Sequence, residues 1–130
     1  MQNLIWYESL KKPLFTPQPE LFAPAWIFLY GLITLSLFVY IYKQTDKNKT
    51  LGYIFFALQL VLNLSWSPVF FHFQNIKLSF VIIVLLVLSI IFTMVFFYKI
   101  SKIAAALLVP YLLWTCFALY LNYGIMVLNL

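Results

Sequence analysis

Three sets of residues in this chain have the types and spacing to build a binding site. Gln59, Asn63, Trp66 and Phe70 fall at i, i+4, i+7 and i+11, which is one face of a helix. Tyr111, Trp114, Ala118 and Asn122 fall at i, i+3, i+7 and i+11, again one face. Trp26, Tyr30, Ile33 and Leu37 make a third. An unpaired amide in hydrocarbon costs several kcal/mol, so Gln59 and Asn63 are expected to point inward. Convergence of the three faces would line an apolar, π-rich pocket with a few hydrogen-bonding groups, which suits a flat hydrophobic ligand. The same residue types also have plainer uses. Tryptophan and tyrosine collect at membrane interfaces, and Asn and Gln bond neighbouring helices.

Other chemistries find little support. No P-loop, GxGxxG, CxxC or HExxH pattern occurs. His72 is the sole histidine, placed near a helix end, where a partly solvated imidazole is expected rather than a metal ligand. The acids Glu8, Glu20 and Asp46 all lie outside the apolar runs. No acid–base pair and no metal site is visible in those runs. Cys116 has no partner for an intrachain disulfide. It lies in an apolar run, so we expect a small buried hydrophobe.

The elements that must position these faces follow from composition. Of 130 residues, 65% are hydrophobic and 8% charged, against about 25% charged in a soluble domain. So few charges cannot coat a water-soluble protein of this size, but lipid can. The net charge of +5 comes from eight lysines and no arginine. The lysines flank apolar runs rather than forming a basic stripe, which argues against a nucleic-acid partner and for membrane helices. A spanning helix needs about 20 mostly apolar residues. Four runs qualify, at about 22–42, 51–73, 78–98 and 103–128. No run shows the short alternating segments of a β-barrel. We therefore expect one all-α, multi-pass integral membrane domain over residues 1–130, with four transmembrane helices in an antiparallel bundle whose consecutive members are neighbours.

Loops 43–50 and 99–102 hold five lysines, and the remaining segments three. This balance favours both termini facing away from the cytoplasm. The N-terminus does not read as a cleaved signal. Residues 1–21 are rich in proline and aromatics, and Pro13, Pro17, Pro19 and Pro24 forbid a long regular helix there. Trp6, Tyr7 and Phe15 suit an interfacial loop, or a lid over the bundle end. Pro68 and Pro110 lie inside helical runs, as pocket-shaping or merely tolerated kinks.

Four stretches, WYESLKKPLFTPQP, PAWIFLYGL, QLVLNLSWSPVFF and VPYLLWTCFALYLNY, together resemble the TspO/MBR family (translocator protein, tryptophan-rich sensory protein, peripheral-type benzodiazepine receptor). WYESLKKPLFTPQP is similar to the family's first loop, W-Y-x-x-L-x-K-P-x-x-x-P. PAWIFLYGL resembles the W-x-x-L-Y of its second helix. QLVLNLSWSPVFF resembles Q-L-x-L-N-x-x-W-x-P-x-F-F of its third, and VPYLLWTCFALYLNY resembles P-Y-L-x-W-x-x-F-A-x-x-L-N-Y of its fifth. The match runs from Trp6 to Tyr123 in the family's order, and only the third span lacks a sharp motif. The resemblance implies helices two to five of a five-helix bundle that binds porphyrins, and in animals cholesterol and benzodiazepine-type drugs. By the same resemblance, Trp26 and Trp114 match tryptophans linked to porphyrin binding and its light-dependent breakdown. Asn63, Tyr30 and Ala118 match pocket positions. Tyr7 and Trp6 match the lid loop.

Three departures qualify the match. Nothing here corresponds to the family's first helix, so one side of the bundle is expected to be open, to be covered by a partner helix, a second copy or lipid. A mispredicted start or a truncated gene would also account for it. Leu121-Asn122-Tyr123 leads into GIMVLNL with no basic residue, which speaks against the cholesterol motif proposed for animal members. The family's small-xxx-small dimerisation positions fall at Ile54 and Leu58, which are too large for close backbone approach.

The leading expectation is a membrane-embedded binding or sensory protein for a porphyrin (a haem-type tetrapyrrole) or a similar flat ligand. Its predicted contact residues are Tyr7, Trp26, Tyr30, Asn63, Trp66, Trp114 and Ala118. It requires no cofactor beyond that ligand. An enzymatic alternative is photo-oxidative porphyrin degradation through Trp26 and Trp114. A transporter or structural subunit is the third reading, and the absence of intramembrane charge argues against coupled transport.

Overall fold

The computed structural model describes residues 22–129. The expected 1–21 segment, with Trp6 and Tyr7, lies outside them. Helix α1 is Phe22–Tyr42, with Pro24 in its first turn, where the missing N–H is harmless. It ends where the polar stretch from Lys43 begins. Helix α2 is Thr50–Ser67 and continues as a π-helical turn, Pro68–His72. Helix α3 is Ile76–Ile100. The fourth span is α4, Lys102–Leu107, followed by α5, Val109–Leu128. Four spans of 19, 21, 25 and 27 residues are long and apolar enough to cross a bilayer. The protein is an all-helical, multi-pass membrane protein.

Local chemistry explains where the helices depart from the runs read above. The second span widens into a π turn where Pro68 enters. The Phe73 N–H reaches back five residues to the Pro68 carbonyl at 3.0 Å, and Asn75 N–H bonds Val69 O at 3.1 Å. Gln74 then reverses the chain at a φ of 54°. Asn75 caps α3, its Oδ1 accepting from Leu78 N–H at 3.0 Å. The third span thus starts earlier and ends later than 78–98, taking in Lys77 in its first turn and Lys99 in its last. Its end is sharp. Ser101 is extended, and its Oγ accepts from Ala104 N–H at 3.3 Å to start α4. The fourth span is not one uninterrupted helix. Pro110 has no N–H to give, and the chain tightens before it, with Leu108 N–H bonding Ala105 O at 3.1 Å.

The packing order follows the expected neighbour-to-neighbour bundle for α2 with α3 and for α3 with the fourth span, and departs from it for α1. Helix α3 lies along α2 and along the fourth span, whereas α1 lies mainly along α4 and α5. Ser36 Oγ donates to the Ala104 carbonyl at 2.6 Å and ties α1 to α4. Helices α1 and α2, though joined by a short loop, meet chiefly through side chains. Near the loop Tyr40 stacks on Phe97 at 3.9 Å and donates to Lys49 O at 2.9 Å. Farther along, Tyr30 reaches Asn63. The side between α1 and α2 is therefore the least closed.

The outward faces are mostly apolar, with Ile27, Val61 and Leu113 among the most exposed. Such a surface suits hydrocarbon and not water. Cys116 is a correction. It is exposed, not buried, because its neighbours Thr115 and Ala118 take the inward positions on that turn. Ile54 and Leu58 also face outward.

Candidate functional site

The three predicted faces do turn toward one another. Gln59, Asn63 and Phe70 on α2 and its π turn are buried, as are Tyr111, Ala118 and Asn122 on α5. On α1, Ile33 is buried, with Trp26 and Leu37 partly so. Tyr30 is 37% exposed, at the margin of the α1–α2 side.

Asn63 is the junction. Its Oδ1 accepts from the Tyr30 hydroxyl at 2.7 Å, and its Nδ2 donates to the Tyr111 hydroxyl at 2.7 Å. The Tyr111 hydroxyl in turn donates to Gln59 Oε1 at 2.6 Å. One amide therefore links α1, α2 and α5, and the proton donors all run in one direction along Tyr30, Asn63, Tyr111 and Gln59. The chain ends at Gln59 Nε2, a buried donor with no partner among the described residues. A tyrosine hydroxyl has a single hydrogen. Once Tyr111 accepts from Asn63 it must donate to Gln59, which points the Gln59 nitrogen away from the chain.

An aromatic cluster sits beside this polar line. The Trp26 ring lies 5.8 Å from Tyr30, and 6.5 Å from both Tyr111 and Trp114, the last two edge-on. Edge-to-face contacts at these separations are attractive through ring quadrupoles. Trp26, Trp66 and Trp114 all pack against the buried group of Phe70, Leu121 and Ile125. On its outer side Trp114 lines an apolar groove of about 470 Å³, shared with Phe28 and Leu29 of α1 and Phe117 of α5.

Of the predicted site residues, Trp26, Tyr30, Asn63 and Trp114 come together directly around Tyr111. Ala118 is buried in the core beside them. Trp66 is held differently. Its Nε1–H donates to Asn122 Oδ1 at 2.9 Å, and its ring stacks on Phe70 at 5.2 Å. Asn122 Oδ1 also accepts from Ser79 Oγ at 3.0 Å. Asn122 thus joins the second, third and fourth spans, and Trp66 is tied to it through its indole N–H. Tyr7 lies outside the described residues. Sequence reasoning placed Tyr111 on the right face but missed it as a site residue. Its signal was the i, i+3 step to Trp114. Nothing in the spacing marks its hydroxyl as the bridge between two amides.

The sequence profile of the TspO/MBR family matches residues 1–128. The chain is 42% identical over 125 residues to the tryptophan-rich protein TspO of Chlorobaculum tepidum, which covers 95% of this chain and 79% of that protein. It is 33% identical over 124 residues to the tryptophan-rich sensory protein of Cereibacter sphaeroides, covering 95% and 77%. It is 33% identical over 127 residues to the translocator protein of Homo sapiens, covering 94% and 73%.

Proposed function

The chain belongs to the TspO/MBR family of membrane proteins, and from that premise we propose that it is a binding or sensory protein for a porphyrin or a similar flat hydrophobic molecule. One observation supports this most. Trp26, Tyr30, Tyr111 and Trp114 form a contiguous aromatic wall, and Asn63 stands beside it with both ends of its amide engaged by hydroxyls.

The wall offers large, polarisable ring surface for a planar ligand. The edge-on Trp26–Trp114 pair sets two indole faces at nearly right angles, and a ligand ring would stack on one of them. Tyr30 is the movable element. It is partly exposed and holds Asn63 by one bond, so its hydroxyl can turn to a ligand acceptor while Asn63 keeps Tyr111. The less closed α1–α2 side gives the ligand its entry from lipid, and Tyr7 and Trp6 would act as the lid. Gln59 and Tyr111 remain in place and fix the Asn63 rotamer.

Titration of the detergent-purified protein with protoporphyrin IX, followed by tryptophan fluorescence, tests this reading. Saturable quenching at micromolar ligand is expected. An aromatic contact contributes about 0.5–1.5 kcal/mol, so Trp26→Phe and Trp114→Phe should each weaken binding about 2- to 10-fold. Val61→Ala, on the outward face of α2, should bind as the parent does. Linear, non-saturable quenching in all four proteins would sink the proposal.

A further inference from the structure

The end of the bundle opposite Trp26 is the cationic one. Lys43, Lys47, Lys49, Lys99 and Lys102 gather there, in the loop after α1 and around the Ser101 break. Two of them are committed to helix ends. Lys49 Nζ donates to the carbonyls of Ile41 at 2.9 Å and Lys43 at 2.7 Å, and Lys47 Nζ donates to Lys99 O at 2.9 Å. Each thereby satisfies carbonyls that a terminating helix leaves open. Lys99 and Lys102 lean over aromatic rings, 5.1 Å from Phe96 and 5.9 Å from Tyr98.

Between these stems lies a groove of about 610 Å³. Lys43, Lys47, Lys99 and Lys102 line it, and among the described residues no carboxylate does. Its rim is apolar and outward-facing, with Tyr98 56% and Ile103 66% exposed. Four ammonium groups without a lining anion hold a strong positive field, because a concave low-dielectric wall focuses it. The groove lies where α1 and α3 end and α4 begins, which is the depth of the lipid headgroups. The lysine balance of the loops favours the cytoplasmic leaflet for this end, where anionic lipids attract such segments.

We propose that this groove is a binding site for an anionic phospholipid, its phosphodiester held by Lys43 and Lys102 and its acyl chains passing over Tyr98 and Ile103. A free phosphate would use the ammonium groups but not the apolar rim. The amphiphilic lining therefore favours lipid. The site is separate from the aromatic wall, and it stands whether or not that wall binds a porphyrin.

Native mass spectrometry of the full chain, released from neutral detergent with phosphatidylglycerol or phosphatidylcholine added, tests the site. At least fivefold preferential retention of phosphatidylglycerol is expected. Lys102→Gln should reduce that retention about threefold, and Lys43→Gln with Lys102→Gln at least tenfold. Lys102→Arg should keep it, which separates loss of charge from loss of fold. Lys77→Gln removes the same charge at the other end of the bundle and should leave retention unchanged. Equal retention of the two lipids, or equal losses in Lys77→Gln and Lys102→Gln, overturns the proposal in favour of diffuse attraction. Displacement of the lipid from the parent protein by millimolar inorganic phosphate overturns lipid as the occupant.

Discussion

Gly52→Val is expected to be the most damaging single substitution in the described chain, lowering stability in detergent by about 3 kcal/mol or more. A Cβ at Gly52 would overlap the Tyr40 hydroxyl and sit 2.6 Å from its ring Cζ. Tyr40 has nowhere to go. It is 1% exposed, lies flat on Phe97 with planes 10° apart, meets Tyr53 edge-on at 5.3 Å, and bonds Lys49 O. Overpacking a tight contact costs about 1–3 kcal/mol. Expelling Tyr40 forfeits in addition a stacked pair worth about 0.5–1.5 kcal/mol and a hydrogen bond worth about 0.5–1.5 kcal/mol. Gly52→Ala should show the same sign at the lower end of this range. The double variant separates the cause. Tyr40→Phe keeps Cζ and should not relieve Gly52→Ala, whereas on a Tyr40→Ala background Gly52→Ala should cost nothing further. Unfolding in denaturing detergent, followed by circular dichroism, measures each step. Additive losses from Gly52→Ala and Tyr40→Ala would show that the two do not share this contact.

The second large effect concerns two amides one turn apart with opposite consequences. Asn63→Leu should destabilise the bundle by about 1–3 kcal/mol and weaken protoporphyrin binding at least tenfold. It removes two bonds of about 0.6–1.7 kcal/mol each, one from Tyr30 and one to Tyr111. It also removes the amide that holds Tyr111 in place, so the aromatic wall loses its preset geometry. Gln59→Leu should cost less than about 1 kcal/mol. It removes the single bond from Tyr111, but it also deletes a buried N–H donor that has no described partner. Removing an unsatisfied group offsets the loss of a satisfied one. Equal destabilisation by the two variants would mean that Gln59 Nε2 is paired in solution, through a buried water or through the segment before residue 22. The same unfolding assay, run beside the protoporphyrin titration, decides between these outcomes.

The contrast between Asn63 and Gln59 shows how far the chain was readable in one dimension. The spans were legible because lipid imposes a rule that acts on each segment alone. About 20 apolar residues must run without charge, and every backbone polar group must be satisfied within the segment. The inward faces were legible for the same reason. An amide in hydrocarbon must find a partner, so Gln59, Asn63 and Asn122 mark the inside of any helix that carries them. Motif spacing was enough to assign the family, because matched residues in fixed order do not depend on how the helices lean.

Partner choice was not legible. Both amides of α2 point inward, yet Asn63 joins three helices and Gln59 ends the chain with its nitrogen unpaired among the described residues. That outcome depends on where the Tyr111 hydroxyl lands across the bundle, at a sequence separation of 48 residues. Spacing placed Trp66 on an inward face, but that its indole N–H goes to Asn122, 56 residues on, could not be read from it. Cys116 looked buried by composition, because in a uniformly apolar helix hydrophobicity no longer separates inside from outside. The packing order, with α1 against the fourth span rather than along α2, is likewise invisible locally. In lipid, sequence determines which segments span and which polar atoms must turn inward, since those are solvation costs paid by each helix. Which helix answers which polar atom is a matter of distance and angle between helices, and only the tertiary structure decides it.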